Sequence, residues 1–270
     1  MRHPALVAIA LLLAFDAAAQ ATRKPAPRLN LEAADARAYD SCLAAARKEP
    51  AKAYEDAQVW RVRGGGDAAR HCAAVAMLEW GEPRTAAQLF ERLALDMRFR
   101  PPELRAEVLA QAARAWLAGR DWERANAAAT TAIELAPRNP ELWIDRAEAL
   151  AAAQNYWEAI DDLNRALELD PKRADALVFR AAAYRFVDAP ELAFEDAERA
   201  VAANPKLADA WLERGILYRQ RGDLAKARRD WLEVLVLDAE GPAGDAARTQ
   251  IERLELKLDD QAPAPRAPRR

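Results

Sequence analysis

The sequence predicts an all-α protein made of repeated helix-turn-helix units, and two observations carry this prediction. Only 9 of the 270 residues are glycine, while alanine, the strongest helix former, is abundant. Four sets of residues recur at one constant interval: Trp143, Leu177 and Trp211; Ala125, Ala159, Ala193 and Ala227; Ala132, Ala166 and Ala200; Pro137, Pro171 and Pro205. We call this interval the repeat period. A fixed period of this length indicates a helical array, in which each unit buries its apolar face only by stacking on its neighbours.

The repeat that begins at residue 208 carries the pattern of a known family. Trp211, Gly215, Tyr218, Ala227 and Trp231 stand where the tetratricopeptide repeat (TPR) family has Trp, Gly, Tyr, Ala and Phe. The chain therefore resembles a TPR protein. This resemblance implies a right-handed α-solenoid of helix-turn-helix repeats, which acts as a binding scaffold and needs no cofactor.

The first residues are typical of an export signal. A short polar start at Arg2 and His3 precedes an apolar run over residues 5–15, and small residues follow at 17–19. We predict a signal peptide over residues 1–19, with cleavage after residue 19 or 21. The alternative is an anchor that stays uncleaved. Since the apolar run is short for a bilayer-spanning helix, we expect a periplasmic protein without a stable membrane span.

The N-terminal part of the array is less regular than the rest. Residues 20–30 contain proline and arginine and predict a disordered spacer. Residues 31–66 predict a degenerate first repeat that ends at a run of three glycines. Residues 67–105 predict a divergent repeat, whose five extra residues fall near 96–102. That insertion is either a contact for a partner or a tolerated surface loop.

Four regular units follow, with boundaries at 106–139, 140–173, 174–207 and 208–241. Residues 242–258 then predict a last helix with apolar positions at Ala247, Ile251 and Leu254. An amphipathic helix of this kind caps the final apolar face of an array. Residues 259–270 contain repeated proline, alanine and arginine and predict a disordered tail.

One pair of opposite charges repeats with the units. Arginines at 146, 180 and 214 are each followed 16 residues later by an aspartate, which gives the pairs Arg146–Asp162, Arg180–Asp196 and Arg214–Asp230. The unit at 106 has Ala112 and Ala128 at these two positions, so the charges are present or absent together. We expect each pair to join the two helices of its hairpin, because a lone charge at a packed interface is costly.

Cys42 and Cys72 are the only cysteines. In the register of the family both fall on the first helices of adjacent units, and an even pair in an oxidising compartment predicts a disulfide. Two alternatives remain open. The cysteines are buried free thiols, or they form a metal site together with His71.

The residue types argue against an enzyme. Beyond the signal segment the chain has one histidine, His71, and one serine, Ser41, and it lacks HExxH, CxxC and GxGxxG motifs. Its net charge of −3 is spread along the helices without a basic block, so we expect no nucleic-acid partner.

The TPR resemblance implies that a protein or peptide partner lies on the concave face lined by the first helices. Carried over to this sequence, the groove positions are Arg114, Ile144, Glu148, Val178, Arg185, Phe186, Leu212, Ile216 and Arg219. Ile144, Val178, Leu212 and Ile216 would form an apolar stripe with charged edges, which suits an amphipathic helix or an extended segment. The alternative is that some of these apolar side chains pack against neighbouring helices.

The clamp of the chaperone-binding TPR proteins is absent, because its positions hold residues such as Ala110, Ile144 and Ala182. We therefore expect no chaperone partner. The TPR resemblance together with the export signal implies an adaptor for another envelope protein. The alternative function is an accessory or regulatory protein of cell-wall enzymes that contacts polysaccharide. Aromatic residues exposed in the groove would favour that alternative, and Phe186 is the candidate.

Overall fold

The computed structural model describes residues 33–260, with side chains described over 36–254, and every helix or strand in that range is an α-helix. This confirms the predicted all-α fold class. The predicted signal peptide and the spacer lie outside the described residues, and so does the predicted tail from residue 261 onward. Residues 259–260, predicted as part of that tail, belong to the last helix.

The described chain contains 13 helices in sequence order. They are α1 (Ala33–Ala46), α2 (Pro50–Val62), α3 (Gly66–Glu79), α4 (Pro83–Asp96), α5 (Pro102–Ala118), α6 (Trp122–Leu135), α7 (Pro140–Ala152), α8 (Tyr156–Leu169), α9 (Ala174–Phe186), α10 (Pro190–Ala203), α11 (Ala208–Gln220), α12 (Leu224–Leu237) and α13 (Pro242–Asp260).

The helices divide between two compact units. The N-terminal unit contains α1–α8 and ends at Pro171, and the C-terminal unit begins at Lys172 and contains α9–α13. Within each unit an odd-numbered first helix pairs with the following even-numbered second helix. First helices of adjacent repeats also contact each other, at α1 with α3, α5 with α7, α9 with α11 and α11 with α13.

Five of the six hairpin turns in the described chain, all but the one between α1 and α2, place one residue in the left-handed region. These residues are Gly81, Arg120, Gln154, Asp188 and Gly222, with φ between 57° and 85°. The last four are separated by the repeat period, so the same backbone turn is repeated even where glycine is replaced. A residue with a Cβ is strained there by about 1–2 kcal/mol, and the surrounding hairpin packing offsets that cost.

Small residues let the two helices of each hairpin approach closely. Ala125, Ala159, Ala193 and Ala227 have no exposed surface. At Gly215 the approach is closer still, since a Cβ there would lie 2.5 Å from Nε1 of Trp231. Large side chains such as Trp116 and Trp231 fill the space beside these positions, which gives the interlocking core of a helical array.

The insertion before the regular repeats is mostly helix. α5 has 17 residues, whereas α7, α9 and α11 have 13 each. Its first turn starts at Pro102, so the predicted boundary between residues 105 and 106 falls inside a helix. In the preceding loop Arg100 forms an ion pair with Asp67 of α3, with Nε 3.0 Å from Oδ2. Phe99 remains 88% exposed at its tip.

Candidate functional site

The predicted apolar stripe is not exposed. Ile144 has no exposed surface, and Val178, Leu212 and Ile216 are each 2% exposed. Leu212 and Ile216 belong to the same packed cluster as Trp231 and Ala247. The expectation of an exposed stripe is therefore wrong for these four residues, because the neighbouring helices offer alanines and leave gaps that branched side chains fill.

Five of the predicted groove residues keep part of their surface exposed. In the N-terminal unit they are Arg114 and Glu148, and in the C-terminal unit they are Arg185, Phe186 and Arg219. We call these five residues the first-helix face, since all of them lie on α5, α7, α9 or α11. Unlike the buried stripe, they are polar or aromatic and reach the surface.

Two arginines of the first-helix face join adjacent first helices. Nη1 of Arg114 lies 2.7 Å from Oδ2 of Asp145, on α5 and α7. Nε and Nη2 of Arg185 lie 2.6 and 3.2 Å from the two carboxylate oxygens of Glu213, on α9 and α11. Asp145 and Glu213 are almost fully buried, so each arginine compensates a charge that has left water.

A neutral histidine makes the corresponding contact earlier in the chain. The Tyr39 hydroxyl donates to Nδ1 of His71 at 2.8 Å, and Nε2 of His71 donates to Oε1 of Gln111 at 2.9 Å. The Gln111 amide nitrogen faces the Glu107 carbonyl, which leaves the Gln111 oxygen toward His71. Burial lowers the pKa of His71 to about 4, so the ring is neutral at physiological pH.

These contacts share one position in the repeat. Gln111, Asp145 and Glu213 are separated by one or two repeat periods, and each accepts from the preceding first helix. Residues 111, 145, 179, 213 and 247 share this register. Residue 179 is the apolar Phe179, and we call the other four residues the acceptor position. These contacts can be found in the sequence only when a residue of one repeat is compared with a different position in the next repeat.

At the last repeat the acceptor is missing. Arg219 stands one repeat period after Arg185, but the acceptor position on α13 is Ala247, which is fully buried. Nε of Arg219 is buried and has no hydrogen-bond partner within the described part of the chain. Burial lowers the pKa of Arg219, and the nearby charges of Arg253 and Arg185 lower it further.

Each of the three predicted hairpin pairs is a bidentate ion pair with short hydrogen bonds. The arginine Nε and Nη2 atoms lie 2.7 and 2.6 Å from the carboxylate in Arg146–Asp162, 2.6 and 2.8 Å in Arg180–Asp196, and 2.7 and 3.1 Å in Arg214–Asp230. All three aspartates are buried. Because each charge is used inside its hairpin, these pairs contribute to helix packing.

Cys42 and Cys72 form a disulfide that joins α1 to α3, with their Cα atoms 6.2 Å apart. Both sulfur atoms are therefore held in a covalent bond. Over the residues that the structure describes, no group of three or more His, Cys, Asp or Glu side chains could hold a metal ion. Within residues 33–260, no helix combines the length and apolar character needed to cross a bilayer.

The fold and the repeat register define an α-helical repeat protein whose first helices lie side by side within each compact unit. Two family models, both described as tetratricopeptide repeat, match residues 111–183 and 181–245, and together they span half of the chain. The chain belongs to the tetratricopeptide repeat family. No curated protein sequence matches it.

Solved structures of other TPR proteins share the fold. TTC0263, a thermophilic TPR protein of Thermus thermophilus, matches with 19% identity and a TM-score of 0.58, over 70% of this chain and 99% of that one. Residues 41 to the end of MamA from Desulfovibrio magneticus RS-1 match with 20% identity and a TM-score of 0.50. That match covers 72% of this chain and 97% of the other. At this identity the likeness extends to the fold.

Proposed function

We propose that this chain is a non-enzymatic scaffold of the cell envelope, which holds a peptide or a helix of a partner protein on its first helices. One observation carries the proposal. In each compact unit the first helices lie side by side, so residues of equal register form a row on one surface. Helical arrays use surfaces of this kind to bind extended or helical segments.

The chemistry of the first-helix face suits a polar segment. Its exposed members in the N-terminal unit are Arg114 and Glu148, and those in the C-terminal unit are Arg185, Phe186 and Arg219. With the apolar stripe buried, affinity would come from charge-assisted hydrogen bonds and from the Phe186 ring. Such contacts give orientation and specificity to a bound segment.

Export to the periplasm is supported by the disulfide and by the pattern of residues 1–19. A disulfide persists in an oxidising compartment and is rare in the reducing cytosol. The net charge of −3 disfavours a polyanionic partner such as nucleic acid. Mass spectrometry of the protein purified from a periplasmic extract tests this part, and we expect a mature chain that starts at residue 20 or 22.

Polysaccharide binding is not favoured by the position of Phe186. The guanidinium of Arg185 lies 4.7 Å from the centroid of this ring, and the same arginine is fixed by Glu213. One face of the ring is therefore covered by a charge that is held in place. The more exposed aromatic side chains are Trp157 on a second helix, Phe99 in the loop before α5 and Trp80 in the turn just after α3.

Photo-crosslinking in the producing cells tests the scaffold. A photoreactive amino acid is placed at residue 148 or 186 on the first-helix face, and at residue 157 or 232 as controls exposed on second helices. We expect the same protein to be captured from both face positions and from neither control. A purified fragment of that protein should then bind the full chain in calorimetry.

Two outcomes would contradict this assignment. Capture from residue 99 in the loop before α5, without capture from residues 148 and 186, would move the binding surface to the insertion. Equal capture from the face and from the second-helix controls would show that the crosslinks report random collisions.

A further inference from the structure

The last contact between first helices in the C-terminal unit is incomplete. α9 and α11 are joined by Arg185 and Glu213, whose Nε and Oε1 atoms are 2.6 Å apart. α11 and α13 start one repeat period apart and therefore share a register, but there the arginine is Arg219 and the acceptor position holds Ala247. The basic half of the pair is repeated, and the acidic half is not.

Arg219 has a hydrogen-bond donor without an acceptor. Its Nε is shielded from solvent and has no partner in the part of the chain that the structure describes. A buried donor without an acceptor costs free energy, and the cost is greater when the group is charged. Oε1 of Gln250, on the α13 side of the same helix pair, also lacks a partner. Rotation of that amide by half a turn would present its NH₂ group as a further donor.

The surroundings of Arg219 add positive charge. Arg253, exposed on α13, and Arg185 both lie close enough to act on its charge. Glu213 is fully buried against Arg185 and compensates that residue. A bound water molecule could accept a hydrogen bond from Arg219 but would not offset the repulsion that Arg253 and Arg185 exert on its charge, whereas an anion would do both.

We propose that Arg219 and Arg253 bind the carboxylate of an acidic side chain in the partner's segment, which takes the place of the acid that Ala247 does not provide. This inference rests on the proposed scaffold function and specifies the chemistry of its partner. The choice of a carboxylate follows from the preceding repeat, where the same arginine register holds a glutamate. Since Nε is shielded while Arg219 is partly exposed, the two Nη atoms of its planar guanidinium would form the forked pair of hydrogen bonds that matches the two oxygens of a carboxylate.

A random library of short peptides, displayed on phage and selected on the full-length, disulfide-bonded protein, provides the probe. Enriched peptides are synthesised with their acidic residues intact or changed singly to the amide, and their dissociation constants are measured by calorimetry. We expect one acidic residue whose change to the amide weakens binding about 10-fold or more, as for a charge-assisted hydrogen bond.

Variants of the protein identify the partner of that acid. Arg219→Gln should weaken the acidic peptide about 10-fold or more and leave the amide peptide unchanged, so that the two changes are not additive. Arg229→Gln is the matched control, because Arg229 has an exposed side chain on α12 and the substitution removes the same charge. It should leave both peptides unaffected.

Two further variants keep the test decisive if Arg219→Gln lowers stability. Arg253→Gln changes an exposed residue and should weaken the acidic peptide several-fold without affecting the melting temperature. Ala247→Glu supplies the missing acid at a position where Glu213 is accommodated one repeat earlier. It should occupy Arg219 and abolish the preference for the acidic peptide.

The outcomes separate this inference from the function on which it rests. If peptides bind but contain no required acid, or if their affinity is unaffected by Arg219→Gln and Arg253→Gln, the carboxylate site is refuted and the scaffold remains. If no peptide is enriched on the native protein and photo-crosslinking captures no partner, the scaffold itself is refuted. Displacement of bound peptide by inorganic phosphate, but not by acetate at equal concentration, overturns the assignment to a carboxylate.

Discussion

Removal of Arg146 alone should destabilise the protein far more than removal of Arg146 and Asp162 together. Arg146 holds Asp162 through two hydrogen bonds of 2.7 and 2.6 Å, and the aspartate side chain is only 6% exposed. Arg146→Ala leaves this carboxylate buried without its main partner. For such a charge the expected cost is about 3–5 kcal/mol in the free energy of unfolding.

The double variant Arg146→Ala, Asp162→Ala should lose much less. The preceding hairpin has Ala112 and Ala128 at these two positions, both buried, so the architecture already accommodates the uncharged pair. Replacement of a buried ion pair by apolar residues is often close to neutral, and we expect a loss of about 0–2 kcal/mol. The remaining loss comes from the reduced volume of the side chains.

Urea denaturation followed by circular dichroism measures all four proteins of this cycle, with Arg165→Ala as a control for an exposed ion pair. Arg165 pairs with Glu168 at the surface, and its removal should change stability little. If the double variant is as unstable as the sum of the two single variants, the two charges act independently. The assignment of Arg146–Asp162 as a hairpin pair would then be wrong.

Three further predictions follow from other contacts. The pKa of His71 is about 4 in the folded protein and about 6.5 when unfolded, so its contribution to stability is complete above pH 6.5 and is lost as the pH falls toward 4. That loss is about 3 kcal/mol, and the variant His71→Gln should show a flatter stability profile in urea titrations between pH 4 and 7; equal profiles would contradict a buried neutral ring. Reduction of Cys42–Cys72 should lower the free energy of unfolding by about 2–4 kcal/mol and speed hydrogen exchange first at the amides of α1 and α3. Equal loss of exchange protection in both units would show that the disulfide does not act locally. Gly215→Ala should cost about 1–3 kcal/mol, because its Cβ would lie 2.5 Å from the buried indole of Trp231; an unchanged melting temperature would show that the indole can shift freely.

Part of the candidate site was accessible from the sequence. The charge pairs Arg146–Asp162, Arg180–Asp196 and Arg214–Asp230 appear as correlated substitutions between repeats, because both members belong to one hairpin with a constant separation of 16 residues. The Cys42–Cys72 bond follows from the family register, since both cysteines lie in the middle of adjacent first helices, which pack side by side. In both cases the relevant distance is set within one hairpin or between the middle parts of neighbouring first helices.

The stripe of Ile144, Val178, Leu212 and Ile216 could not be interpreted in the same way. A helical period shows which residues share a face, but the angle at which the next repeat packs decides whether that face is covered. The contact between Arg185 and Glu213 could not be predicted either, because these contacts have no constant spacing. Arg185 and Glu213 are 28 residues apart, whereas Arg114 and Asp145 are 31 residues apart. Long side chains reach the same acceptor position from different turns of a helix.

The sequence by itself determined the all-α class, the length of the repeat unit and the pairing of charges inside each hairpin, because these depend on helix propensity and on spacing along one chain. Tertiary structure alone decided which groove residues are buried and which arginine of the described residues lacks an acid at the acceptor position. Burial and charge compensation are properties of two packed helices, and neither Arg219 nor Ala247 reveals the missing contact until α11 and α13 are placed side by side.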